Sequence, residues 1–90
     1  MNYDEIMKEK NMFENELQNK KEYLLYCIKN SYDYAATNAL KEIIEFCDDS
    51  VNKNYLIFQY VPNQYKTKKM CDFVMQKNSV MLKYIPLKFL

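Results

Sequence analysis

Across residues 3 to 28, apolar side chains recur at Tyr3, Ile6, Phe13, Leu17, Leu24 and Ile28 with charges between them. This is the pattern of a long amphipathic helix, and the polar run at residues 18 to 21 is where it would break. Asn30 and Ser31 read as a stop. Asp33 reads as the N-cap of a second helix carrying Ala35, Ala36, Ala39, Leu40, Ile43, Ile44 and Cys47, whose alanines allow close approach of a neighbour. Further on the pattern shortens. Thr67 as N-cap, with Met70, Cys71, Val74 and Met75 at helical spacing and Asn78 as a left-handed C-terminal stop, predicts a helix of about ten residues. The following "SVMLKYIP" predicts a two-turn helix that opens on Ser79 and closes before Pro86, because proline bars helical geometry in its predecessor.

These short elements repeat. A shift of 24 residues aligns residues 42 to 65 with residues 66 to 89, and six positions are identical: Cys47/Cys71, Asp48/Asp72, Lys53/Lys77, Asn54/Asn78, Tyr60/Tyr84 and Pro62/Pro86. Apolar character persists at Phe46/Met70, Val51/Met75, Leu56/Val80, Ile57/Met81, Phe58/Leu82, Val61/Ile85 and Tyr65/Phe89, and Lys-Asn recurs at 29, 53 and 77. Alone, "YLIFQYV" at 55 to 61 resembles a strand, since β-branched and aromatic residues dominate it. Its partner "SVMLKYI" suits a helix, and repeated units share one conformation. Both are therefore expected to be helical.

Lys66-Thr67, Cys71, Asn78, Leu82, Tyr84 and Pro86, with Cys47, Asn54, Phe58, Tyr60 and Pro62 as a partial earlier copy, resemble a short helical-repeat family of unassigned function. That family occurs in bacteria and large DNA viruses, often as long tandem arrays. The likeness covers residues 42 to 90 well and 20 to 41 faintly. It departs where Glu42-Ile43 replaces the first Lys-Thr, and the array here holds one full copy. The resemblance implies stacked helix pairs and brings no catalytic residue. The expected fold is all-α, a solenoid-like stack of about five helices led by a long N-terminal helix. One domain spans 1 to 90, with a cap at 1 to 30, degenerate and partial repeats at 31 to 65 and the full repeat at 66 to 90.

Composition narrows the chemistry. With 49% hydrophobic and 28% charged residues the chain has enough apolar surface to fold. It holds no histidine, and its cysteines, Cys27, Cys47 and Cys71, lack CxxC spacing. Zinc sites, disulfide scaffolds and imidazole catalysis are poor readings, and buried thiols the expected ones. Glycine is absent, which removes phosphate loops and leaves left-handed positions to asparagine. No cofactor is expected. The N-terminus lacks the order of a signal peptide and no apolar run reaches about 18 residues, so a cytoplasmic protein without a membrane span is expected.

Charge is unevenly placed. Residues 1 to 50 carry six lysines against eleven acids, net −5, and residues 51 to 90 carry seven lysines against Asp72 alone, net +6. Lys66, Thr67, Lys68 and Lys69 form a candidate anion site, because lysines in a first helical turn oppose the helix dipole and a bound phosphate or carboxylate would relieve that. The plain alternative is a solvated turn capped by Thr67. Nucleic acid would use Lys53, Lys77, Lys83 and Lys88 as well, with Tyr60, Tyr65 and Tyr84 stacking on bases; the absence of arginine and the packing role of repeated tyrosines argue against it. Paired acids such as Asp48-Asp49 and Glu42/Glu45 have no nucleophile or metal partner to work with, and no enzyme is expected.

Terminal repeats ordinarily present a polar outer face. The last unit here is instead rich in Phe73, Leu82, Leu87, Phe89 and other apolar residues. Either the long N-terminal helix folds back over this unit or another chain covers it, and the leading expectation is a non-catalytic interaction module docking stoichiometrically on a protein, or on its own copies, with nucleic acid as the lesser alternative. Small size and a glycine-free composition suit a phage or mobile-element inhibitor of a host defence complex, resembling an anti-CRISPR protein. There the acids Glu14, Glu16, Glu22, Asp48 and Asp49 would imitate phosphates.

Overall fold

The computed structural model describes residues 2–90. Among the described residues every regular element is helical and no strand occurs. Five helices have six residues or more: α1 (Tyr3–Lys29), α2 (Asp33–Lys53), a 3-10 helix Tyr55–Tyr60, α3 (Lys68–Lys77) and a 3-10 helix Ser79–Tyr84. Single 3-10 turns, Asn63–Tyr65 and Leu87–Phe89, complete the set. Among the described residues no helix is long and apolar enough to cross a membrane. The chain divides into two compact units, the first running through Phe46 and the second Cys47–Leu90, and the division falls inside α2.

In the first unit, α1 starts because Asn2 accepts the Glu5 amide on its side chain at 2.9 Å, while Asp4 and Glu5 meet the positive end of the helix dipole. The helix then runs unbroken for 27 residues. The break expected at 18 to 21 is absent, since glutamine and lysine are good helix formers and one asparagine costs only tenths of a kcal/mol. The buried stripe is Phe13, Leu17 and Cys27. Tyr3 and Ile28, expected on it, are exposed; Ile28 follows Cys27 by one residue and so lies about 100° round the helix.

α1 ends in a Schellman motif. The Tyr32 amide donates to the Cys27 carbonyl at 2.9 Å and the Ser31 amide to the Ile28 carbonyl at 3.1 Å, with Tyr26 edge-on to Tyr32. The left-handed residue is Ser31, φ 58°, and not an asparagine. Asn30 is the residue before it, where its side-chain amide donates to the Tyr26 carbonyl at 2.8 Å. Tyr32 accepts the first bond of α2 from the Ala36 amide at 2.8 Å, so Asp33, expected as N-cap, is instead the first helical residue. Ala39 and Ile43 are buried, and the Phe46 ring stacks on Phe13 at 5.3 Å.

In the second unit the 24-residue repeat recurs in the caps, the 3-10 helices and the residues before the prolines. Asn54 and Asn78 are both extended (φ −149°, ψ 103°; φ −162°, ψ 113°), and each side chain accepts the amide two residues on, at 3.1 and 3.0 Å. Asn78 is therefore neither left-handed nor a mere stop: it caps the next helix, in the place expected of Ser79. Val61 and Ile85 are extended, as Pro62 and Pro86 require. An Asx turn at one end and a proline at the other leave six residues, which close as two turns of 3-10 helix. Cys47, Val51, Ile57, Phe58, Val61, Tyr65, Met70, Cys71, Val74 and Met81 form the core, with α3 and helix 79–84 both packed on helix 55–60.

Candidate functional site

α3 starts as its sequence dictates. Thr67, extended, accepts the Met70 amide on its hydroxyl at 3.2 Å. Around that cap the three lysines take three different partners. Lys68 pairs with Asp72 one turn on, 3.2 Å, and Lys69 with Asp48 of α2, 3.3 Å. Lys66 is 5% exposed; its ammonium donates to the Tyr84 carbonyl at 2.6 Å and lies 4.4 Å from the centre of the Phe58 ring. Burial pushes its pKa below the ordinary lysine range. The four residues of the candidate anion site thus do separate work: Thr67 caps a helix, Lys66 braces the core, and Lys68 and Lys69 are exposed and paired. Pairs this exposed are worth at most about 1 kcal/mol.

Lys68, Lys69, Asp48 and Asp72 line an open concavity of about 490 Å³ with Asn52, Phe73 and Gln76. Two ammonium groups facing two carboxylates make its floor near neutral. Phe73, a candidate interface residue, is half-buried in this wall.

The apolar end of the unit is different. Leu82 is 50% exposed, Leu87 86% and Leu90 70%, while Phe89 is half-buried. One repeat earlier, Phe58, in the place of Leu82, is fully buried and Tyr65, in the place of Phe89, nearly so. Lysines border this end: Lys83 stands 5.2 Å from the Tyr84 ring and Lys88 5.1 Å from that of Phe89. No acid occurs in residues 73 to 90.

The candidate acidic residues are divided between the two units. On α1, Glu14 pairs with Lys10 at 3.1 Å and Glu22 accepts the Gln18 amide at 3.4 Å. Glu16 lines a concavity of about 310 Å³ with Lys20, Tyr23 and Glu42. The Tyr23 hydroxyl is held above its ordinary pKa, first by its hydrogen bond with Cys27. In the second unit Asp48 is half-buried against Lys69 and Asp49 is exposed.

All three cysteines are free and buried. Burial pushes Cys47 up to about 12 and raises Cys71 too, so neither is a ready nucleophile. Among the described residues no group of three or more His, Cys, Asp or Glu is placed to hold a metal ion. No family model, curated protein or solved structure matches the chain.

Two features escaped sequence reasoning. Lys66 stands among exposed lysines, and its repeat counterparts, Glu42 and Leu90, are both exposed, so neither the local pattern nor the repeat signals its burial. Tyr23, Leu25, Tyr26, Ile28, Tyr32 and Tyr34 are exposed around the end of α1; their spacing covers too much of the helix circumference to betray which side faces water.

Proposed function

We propose that this chain is a non-catalytic interaction module that docks stoichiometrically on a protein partner through the apolar end of its second unit. The observation that supports this most is Leu82, half-exposed where its repeat equivalent Phe58 is wholly buried. A face of this kind remains costly in water until covered, and contiguous exposed apolar patches mark interaction sites. Leu82→Asp and Phe89→Asp should release a partner captured from the native host, or dissolve self-association seen by light scattering. A chain that stays monomeric and captures nothing would refute the docking reading.

In its specific form, the module is a phage or mobile-element product that inhibits a host defence complex, with Glu14, Glu16 and Glu22 along α1 offering negative charge to a basic channel. Competition between the chain and nucleic acid for such a complex tests this form. A second reading, phosphate or nucleic-acid binding, is favoured by the seven lysines and single acid of residues 51 to 90. It requires a mobility shift at low salt that weakens with salt and with Lys68→Ala and Lys69→Ala.

A further inference from the structure

Within the second unit, one interface is already built: α3 and helix 79–84 pack on helix 55–60, where Phe58 is fully buried, and Val61 and Tyr65 just beyond it are buried too. Helix 79–84 repeats the covered helix in backbone angles, cap and proline, and offers Leu82, Ile85 and Phe89 in the same places. Its complementary cover is therefore a helix of the α3 kind.

Two substitutions relative to the earlier copy alter what that helix must carry. Where helix 55–60 presents the Phe58 ring, the chain supplies Lys66 to sit on it. Where helix 79–84 presents Leu82, which has no π face, the chain supplies Leu90. The centre of the exposed end is thus apolar, with no place for a buried ammonium. The charged side chains this segment carries are Lys83 and Lys88, beside the Tyr84 and Phe89 rings, and residues 73 to 90 hold no aspartate or glutamate. A second copy docked through the same face would bring two lysine borders together, and like charges repel across such a self-complementary contact.

We infer that the end formed by residues 79 to 90 takes an amphipathic α-helix from another protein, with acidic side chains flanking its apolar stripe. This rests on the docking reading and names the partner's chemistry.

The probe is a fluorescent peptide with the sequence of residues 67 to 78 carrying K68E, K69E and K77E, titrated with the full chain at low salt and followed by polarisation. The unsubstituted lysine peptide serves as the comparison. The acidic peptide should bind at least about tenfold more tightly. Leu82→Asp should abolish binding, Met12→Asp, at an exposed site of the first unit, should leave it intact, and the chain with Lys83→Glu and Lys88→Glu should prefer the lysine peptide. Circular dichroism checks that each variant is folded. Equal affinity for both peptides, no binding of either, or acidic-peptide binding untouched by Leu82→Asp overturns the assignment. So does an oligonucleotide bound more tightly than either peptide. The docking reading itself falls only if, in addition, the chain captures no partner that Leu82→Asp releases.

Discussion

Lys66 illustrates how position within a repeat changes the role of a residue type. Its neighbours Lys68 and Lys69 hold carboxylates in water, whereas Lys66 gives its ammonium to a backbone carbonyl and a ring inside the core. Lys66→Ala should cost about 2–3 kcal/mol in urea unfolding, combining a charged hydrogen bond and a cation–π contact. Lys68→Ala and Lys69→Ala should each cost less than about 1 kcal/mol. Cys47 gives a prediction in pH. Its folded pKa, about 12, lies above its ordinary value of 9.0, so the fold favours the neutral thiol. That contribution is complete below pH 9 and is lost as pH rises towards 12, at most about 1.4 kcal/mol per pH unit. Melting temperatures should fall less steeply over that window in Cys47→Ala than in the native chain.

At the scale of elements, the two asparagines that open the 3-10 helices set the form of the repeat. Asn54→Ala and Asn78→Ala should each cost about 1 kcal/mol, measured by thermal unfolding. The Schellman turn after α1 makes the opposite prediction, because Ser31 holds a positive φ without the freedom of glycine. Ser31→Gly should stabilise by up to about 1 kcal/mol, read as a rise in melting temperature. Much of this was legible beforehand. The register of 24 residues made residues 55 to 60 a helix despite their strand-like composition, because the partner segment was not strand-like. Thr67 and the prolines fixed where α3 and the short helices begin and end. The choice between Asn78 and Ser79 as cap was not legible, since both side chains can accept an amide and only the extended backbone at Asn78 decides it. Nor was Ser31, because a left-handed serine is uncommon and an asparagine stood beside it.

At the scale of the whole chain, the uneven charge and the apolar richness of the last unit were both visible in the sequence, because each depends on composition along the chain; that Leu82 and Leu87 stand exposed depends on packing and was not. The candidate anion site was not legible either: whether four adjacent residues converge depends on which side chains the tertiary fold recruits, and Lys66 is recruited inward. The acids of α1 and those at Asp48 and Asp49 likewise fall in different compact units, a division that no local pattern announces because it lies within a continuous helix.

That continuity limits how the chain can be dissected. A cut between Phe46 and Cys47 falls in mid-helix, where about four backbone hydrogen bonds span any break in α2. Either fragment alone would begin or end with frayed peptide groups and lose the neighbour that keeps its last turn wound. Expressed separately, residues 2 to 46 and 47 to 90 should show weaker amide protection near the cut than in the intact chain. Undiminished protection there would show that the two halves are autonomous. The residues of α2 on either side of that point thus complete one another's backbone hydrogen bonds.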